Sequence, residues 1–445
     1  MLESKQLFPL ILSAIKSIEP IRIHGKICEV VGLLIESTGP AASIGDVFII
    51  ENHGHIVGKA EVVGFRQDRT LLMPLGPLEG IHPGFTVVST KKPLMVNVGQ
   101  QMLGRIFDGL GNPIDQSGGF TPETSRSIFS NVPNPLTRKR ISEYFETGIR
   151  SIDSLITLGK GQRIGVFSGS GVGKSVLIGM LAKNCRSDVN VIALIGERGR
   201  EVREFIERDL GKEGLKKSIV IVATSDQPAL IRLKGAMVAI TIAEYFRDLG
   251  KDVLFLCDSL TRIATAQREI GLAVGEPPAT KGFTPSVFSL LPKFLERAGT
   301  SSKGTITGMF AVLVEGDDMD EPISDAARSI LDGHIVLSRD LAHRNHYPAV
   351  DVLQSISRCQ IDVVSTQHLR ATGIIKDYLS AYRENEDLIQ IGAYTSGRNF
   401  RVDNAIKIHE PIMKFLRQDR NEVSAFNQNL KDLNSILSTV GEQIS

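Results

Sequence analysis

The sequence predicts an α/β protein: a parallel sheet covered by helices, with a β-rich unit before it and helices after it. Three observations predict this. From about residue 150 onward, the apolar runs GQRIGVF, VNVIALIGE, SIVIVATS, DVLFLCD, GTITGMFAVLVEG and HIVLSR recur along the chain, and runs that are apolar throughout mark strands buried on both faces. Helical patterns stand between several of them, including VLIGMLAKNCR, REVREFIERDLG and GAMVAITIAEYFRDLG, and such alternation builds a parallel sheet. The strand RIGVF runs into the glycine-rich segment SGSGVGKS, which opens a helical pattern.

The remaining elements follow in chain order. Residues 1–20 read as an amphipathic helix, with Leu7, Leu10, Ile11, Ile15 and Ile18 near helical spacing. It is either a packed terminal helix or a docking element for a partner or a membrane surface, and the residues leave both readings open. Residues 21–92 hold short β-rich runs separated by Gly, Pro and Asn, as expected of a small barrel or sandwich. A Gly/Pro-punctuated connection, residues 93–150, leads into the sheet, so the central domain spans 93–360. Residues 361–445 lack strand patterns and contain the helical segments KDYLSAYRENEDLIQIGAY and AFNQNLKDLNSIL.

Composition sets outer limits. A chain of 445 residues accommodates two to four domains. A net charge of +1 gives no overall field toward nucleic acid or acidic lipid. Cys28, Cys185, Cys257 and Cys359 are far apart and form no C-x-x-C pair, which argues against a zinc site or a disulfide framework and fits a reducing cytosol. No apolar run approaches the roughly 20 residues needed to span a bilayer, and the N-terminal stretch has no cleavage site of small residues.

The segment 168–175 carries the sharpest chemistry. Ser168, Gly169, Ser170, Gly171, Val172, Gly173, Lys174 and Ser175 sit between a strand and a helix, the context a phosphate-binding P-loop requires. The glycines let backbone N–H groups turn toward phosphate oxygens. Lys174 reaches the β- and γ-phosphates, and the Ser175 hydroxyl coordinates Mg²⁺. The strict motif begins with glycine, and this chain has Ser168 there instead.

Three further residues gain meaning beside that loop. Asp258 ends the apolar strand DVLFLCD, where a carboxylate can hold the Mg²⁺ shell through water. Glu197 ends VNVIALIGE and reads as a base that orients attacking water or as a solvated cap of the next helix. Arg358 follows PAVDVLQSIS, and the residue type alone suggests a surface ion pair.

Taken together, these segments resemble the catalytic subunits of the rotary ATP synthase superfamily. The likeness rests on TGIRSIDSLITLGKGQRIGVFSGSGVGKS, GERGRE, DSLTR and PAVDVLQSIS. It implies an N-terminal β-barrel, a RecA-like P-loop ATPase core and a C-terminal helical domain, with ATP and Mg²⁺ as ligands. It assigns the catalytic carboxylate to Glu197, a place beside the γ-phosphate to Arg198, and a further active-site arginine to Arg262. It makes Asp258 the metal-shell aspartate, Tyr347 the aromatic of the adenine pocket, and Arg358 the arginine supplied to a neighbouring subunit.

Within the superfamily, ERGREVREFIERDLG, DSLTRIATAQREIGLAVGEPPATKGFTPSVFSLLPKFLERAG and GTITGMFAVLVEGDDMDEPISDAARSILDGHIVLSRDLA are similar to the type III export ATPases, the flagellar branch above all. That implies a homo-oligomeric ring, a hexamer, that hydrolyses ATP to energise export of flagellar proteins. The implied partners are regulator and stalk proteins, export substrates with their chaperones, and a membrane export gate, at the cytoplasmic face of the inner membrane. No nucleic acid is expected. The alternatives are a virulence injectisome ATPase, a hexameric RNA-translocating termination helicase and a subunit of a proton-driven synthase. The helicase would need stacking aromatics in its N-terminal domain. This chain has no Trp, and residues 21–92 offer only Phe48, Phe65 and Phe85.

Overall fold

The computed structural model describes residues 23–314, 316 and 318–442. The expected helix over residues 1–20 lies outside the described residues. The chain divides into two compact units, one formed by the chain through Met95 together with Ala273–Gly275 and one formed by residues 96–272 and 276 onward.

The first unit is a closed barrel, which decides between the two architectures its strand pattern allowed. Its strands are β1 (His24–Val31), β2 (Leu34–Thr38), β3 (Asp46–Asn52), β4 (His55–Arg66), β5 (Arg69–Pro74) and β6 (Thr86–Pro93), in the order β1-β2-β5-β4-β3-β6. Closure leaves no unpaired strand edge. Ile27, Ile35, Phe48, Ile50, Val62, Leu72 and Val87 fill the interior. Gly25 is required by close approach, since a β-carbon there would meet the Thr38 and Gly39 carbonyl oxygens at 2.1 and 2.0 Å.

The second unit is built on a nine-stranded sheet. Its principal strands are β7 (Ile106–Asp108), β8 (Arg163–Ser168), β9 (Val189–Ile195), β10 (Ser218–Ala223), β11 (Asp252–Asp258), β12 (Thr305–Leu313), β13 (Gly333–Leu337) and β14 (Val350–Ser357). They lie in the order β14-β13-β8-β12-β11-β9-β10-β7. All pairings on this path are parallel except β13 with β14. Every residue of β9 is buried, as expected of a mostly apolar strand in a covered sheet; its one polar residue, Asn190, donates to the Ala182 carbonyl at 2.7 Å.

Helices follow the strands where the pattern predicted them, α1 (Lys174–Asn184), α2 (Gly199–Glu204) and α3 (Ala229–Asp248), and a further helix, α4 (Leu260–Val274), follows β11. The chain continues from α2 through a π-helical turn at Phe205–Leu210. Helix α3 is buried over nearly its whole length, which is why it is apolar on most faces. At the C-terminus stand α5 (Thr366–Gln390), α6 (Phe400–Leu416) and α7 (Phe426–Ser438). Their Ile375, Ile408, Ile412, Leu433 and Leu437 join one core with Ile152, Leu155 and Ile178. The C-terminal helices therefore share packing with the sheet domain.

A buried ion pair fastens α3. Arg297 and Glu244 are 4% and 3% exposed, and they meet through two hydrogen bonds, Nε to Oε1 at 2.9 Å and Nη2 to Oε2 at 2.7 Å. Arg297 also donates to the Ile128 carbonyl at 2.8 Å, and Ser130 donates to Glu244 at 2.6 Å. Removing one partner strands the other charge in the core. Glu244→Ala is therefore expected to destabilise the chain by about 3–5 kcal/mol, read as a lower denaturation midpoint in urea. A change below about 1 kcal/mol would put this pair among ordinary surface ion pairs.

Candidate active site

The phosphate loop rises from the interior of the sheet. β8 ends at Ser168, and the eleven-residue α1 begins at Lys174. Gly171 (φ 78°) and Gly173 (φ 98°) take left-handed conformations between them, which favour glycine. A β-carbon on Gly173 would also stand 3.3 Å from the Tyr347 ring. Val172 is buried and anchors the loop, while Ser170, Gly171 and Ser175 are exposed. The loop thus presents its backbone and the Ser175 hydroxyl at the N-terminus of α1, where the free N–H groups and helix dipole favour an anion. Ser168, the departure from the strict motif, is 2% exposed, and its hydroxyl has no partner among the described residues.

β9 and β11 end on the same edge of the sheet and bring two carboxylates to the lysine. Lys174 Nζ bonds Asp258 Oδ1 and lies 3.4 Å from Glu197 Oε1. The three side chains are only 12%, 6% and 15% exposed, in the order Lys174, Asp258, Glu197, so one cation serves two carboxylates with little help from solvent. Burial alone would lower the Lys174 ammonium, but Asp258 and Glu197 outweigh it and hold it above its ordinary value. Burial pushes the Glu197 carboxyl up to about 7; Lys174 pulls against this, and Asp258 and Glu201 add to it.

The other predicted residues divide into two groups. The Arg262 stem packs over Gly196, where a β-carbon would meet its Cβ at 2.9 Å and its Cγ at 3.0 Å. That sets Arg262 beside Glu197. Tyr347 stands over Gly173 and lines an open pocket of about 440 Å³ with Val176, Asn345, Arg417 and Gln418 among its walls. Arg198 is exposed and reaches Glu201 at 3.5 Å.

Arg358 is not with them. β14 runs antiparallel to β13, with Val350 opposite Leu337 and Ile356 opposite His334. Leu337 pairs with Ser168 at the loop end of β8, whereas His334 pairs with Gly165. Three residue steps of roughly 3.3 Å separate those levels, and Arg358 lies two residues beyond Ile356. Its backbone N–H bonds the Asp332 carbonyl, before the start of β13, and its guanidinium is exposed near the Arg328 carbonyl at 3.5 Å. Arg358 thus sits toward the opposite end of the sheet from its own phosphate loop.

Two contributors escape a motif reading. Glu201 lies within the quoted GERGRE and pairs with Arg198, yet it stands near enough to Glu197 to help raise that carboxyl. The turn Arg417–Arg420 walls the Tyr347 pocket from the far end of the chain, and no local pattern announces it.

Fold and site together define a P-loop nucleotide hydrolase whose core is preceded in the chain by a barrel and followed by helices. Comparison with known proteins agrees. Residues 27–91 match the model for the ATP synthase alpha/beta family, beta-barrel domain; residues 148–357 match the nucleotide-binding domain of the same family; and residues 364–435 match the T3SS EscN ATPase C-terminal domain. The flagellum-specific ATP synthase of Bacillus subtilis is 53% identical over 96% of this chain and 98% of its own length. The type 3 secretion system ATPase of Xanthomonas euvesicatoria is 47% identical over 93% and 94%. Among solved structures, the assembled ATPase EscN of enteropathogenic E. coli, in complex with its central stalk EscO, matches with a TM-score of 0.87 and 44% identity over 93% of this chain and 100% of the other.

The chain belongs to the ATP synthase alpha/beta family, in the group that contains the flagellum-specific ATP synthases and the type III secretion ATPases. It is an ATPase related to the ATP synthases, and the expected RecA-like core, barrel and C-terminal helical domain are all present.

Proposed function

We propose that this chain hydrolyses ATP to energise type III export of flagellar proteins, as a homo-hexameric ring whose sites are completed between subunits. The observation that carries the export reading is near-full-length likeness at 53% identity to a flagellum-specific ATP synthase. The likeness at 47% to a type 3 secretion system ATPase keeps the injectisome as the second reading. Deleting the gene in its own organism and looking for filaments by electron microscopy separates them. Loss of filaments, restored by the wild-type chain but not by a Lys174→Ala chain, is the expected result; intact filaments would transfer the chain to an injectisome.

In the mechanism, Lys174 is the pivot. Without nucleotide its ammonium is held by Asp258 and Glu197. An incoming polyphosphate competes for that charge and frees both carboxylates. Backbone N–H groups of Gly169–Gly173 and the N-terminus of α1 hold the β- and γ-phosphates. Tyr347 receives the adenine, and Arg262 and Arg198 stand beside the γ-phosphate.

Mg²⁺ fits the donor set. Among the described residues no group of three or more His, Cys, Asp or Glu could hold a metal unaided. A hydroxyl at Ser175 and a carboxylate at Asp258 suit a hard cation that keeps waters and takes its other ligands from phosphates. Bound there, it would neutralise charge on the β- and γ-oxygens.

Glu197 then acts on water. Its elevated carboxyl makes it a base poised near neutrality. Glu197→Gln keeps size and hydrogen bonding but removes the charge. It is expected to bind ATP normally and to lose about 10²–10⁴-fold in kcat; wild-type turnover would return Glu197 to a capping role. A second expectation concerns pH. Because the active form is deprotonated and its ordinary value is raised to about 7, kcat/KM for ATP should climb as pH passes through about 7 and level off above it. A profile flat from pH 5.5 to 8.5, an interval of roughly 1.5 units on each side, would remove Glu197 from the rate-limiting proton transfer.

Arg358 completes the mechanism from outside. It stands away from its own loop and on an exposed surface, so its charge serves the phosphoryl group bound in the next subunit. A head-to-tail contact that closes by rotation gives a ring. The solved relative EscN, described as assembled and bound to its central stalk EscO, supports a ring with a stalk partner here. Regulator proteins, export substrates with chaperones, and a membrane gate at the cytoplasmic face of the inner membrane complete the proposed setting. Among the described residues, no helix is long and apolar enough to cross a membrane, which suits peripheral attachment.

A further inference from the structure

The pocket beside Tyr347 is walled by a turn more than 240 residues away from the phosphate loop, and one residue of that turn ties several segments together through its backbone and side chain. Gln418 lies two residues past the end of α6 and is 4% exposed. Its backbone N–H donates to the Tyr347 carbonyl at 2.9 Å. Its Nε2 donates to the Gly148 carbonyl at 2.8 Å and to the Glu422 carbonyl at 2.9 Å. Its Oε1 accepts from the Arg150 N–H at 2.8 Å. One buried residue thus ties together the Tyr347 turn, the Gly148–Arg150 turn and its own C-terminal turn.

The Gly148 turn is itself rigid. Asp153 accepts from the Thr147 N–H at 2.9 Å, the Thr147 hydroxyl at 2.7 Å and the Gly148 N–H at 2.9 Å. Gly148 has φ 72°, and a β-carbon there would stand 2.8 Å from Asn184 Cβ. Asn184 is the last residue of α1, the helix that Lys174 begins, and it donates to the Glu422 carbonyl at 3.3 Å. The knot around Gln418 therefore touches both the far end of the phosphate-loop helix and the backbone of Tyr347.

We infer that Gln418 is a positioning residue for nucleotide binding: it holds Tyr347 and the Arg417–Arg420 turn in place as the base pocket, and through it the C-terminal helices act on affinity for the nucleoside part of ATP. This rests on the reading of Tyr347 as the base-pocket aromatic. Gln418 takes no part in phosphate chemistry, so its loss affects binding of the base and leaves the phosphate loop alone. Removing its side chain leaves the Arg150 N–H without its acceptor and the Gly148 carbonyl with only the longer bond from the Ser424 N–H at 3.3 Å; the backbone bond to Tyr347 remains, but the turn that carries it loses its anchor and relaxes.

The test compares two ligands on the full chain. Steady-state kinetics give KM and kcat for MgATP, and inorganic tripolyphosphate serves as a competitive inhibitor that uses only the phosphate loop. Gln418→Ala is expected to raise KM for MgATP about tenfold with kcat within about threefold, the signature of lost uniform binding. The tripolyphosphate inhibition constant should stay within about twofold, since its loop contacts are untouched. Gln418→Met, close in size but without the hydrogen bonds, should behave the same and covers the case in which the alanine variant does not fold. An unchanged KM for MgATP in either folded variant overturns the inference, as does a parallel loss of tripolyphosphate affinity, which would mark general damage. Tyr347→Ala separates the two levels. If it leaves KM unchanged, the base-pocket reading has failed; if it raises KM while the Gln418 variants do not, the failure belongs to Gln418 alone.

Discussion

Lys174→Ala is expected to lower kcat/KM for MgATP by more than about 1,000-fold. The lysine is the sole cation in direct ion-pair contact with Asp258 and Glu197 among the described residues, and in the proposed mechanism it bridges the β- and γ-phosphates. Its loss has a second consequence. Two carboxylates are left close together at 6% and 15% exposure with no counter-charge, and like charges in a poorly solvated place drive one of them to take up a proton. The base would then be disabled along with the phosphate grip. Turnover assayed across pH, with a melting curve to confirm the fold, checks this. A variant that folds and keeps most of its turnover contradicts the assignment of the loop.

The second large effect belongs to Arg358. Arg358→Ala is expected to cost about 10³–10⁵ in kcat, the range for removing an arginine that stabilises a phosphoryl transition state, with little change in stability. The stability expectation follows from its surroundings: the side chain is exposed, and its one side-chain hydrogen bond among the described residues, at 3.5 Å to the Arg328 carbonyl, is long. A surface ion-pair residue would show neither effect. Equilibrium binding of a fluorescent ATP analogue should survive, because the phosphate loop and base pocket are intact. Unchanged kcat would leave Arg358 as a surface residue.

Legibility in the sequence varied with how local the signal was. The β8–loop–α1 unit was readable because glycine spacing, the apolar strand and the following helix lie within about 25 residues and obey one known geometry. Glu197 and Asp258 were readable as strand ends, and convergence followed from the rule that ligands sit beyond the carboxyl ends of parallel strands. β7 was missed inside the connection because three residues, Ile106–Asp108, are too few to show a period. PAVDVLQSIS was recognised as a signature without being read as a strand. Its antiparallel pairing with β13, which decides that Tyr347 and Arg358 lie toward opposite ends of the sheet, exists only in three dimensions. Gln418 was invisible for the same reason: its side-chain partners Gly148 and Arg150 are 270 and 268 residues away.

The central claim is that each active site takes Lys174, Glu197 and Asp258 from one copy of the chain and Arg358 from the next. Mixing the two inactive variants, Lys174→Ala and Arg358→Ala, tests it most directly. In a ring assembled at random from equal amounts, about one interface in four pairs an intact phosphate loop with an intact Arg358. Single-turnover hydrolysis, with less ATP than rings, reads those interfaces without requiring the others to work. Hydrolysis in the mixture well above the sum of the separate variants is the predicted result, once co-purification of two differently tagged variants has established that mixed rings form. Hydrolysis no greater than that sum, in rings so verified, would contradict a site shared between subunits.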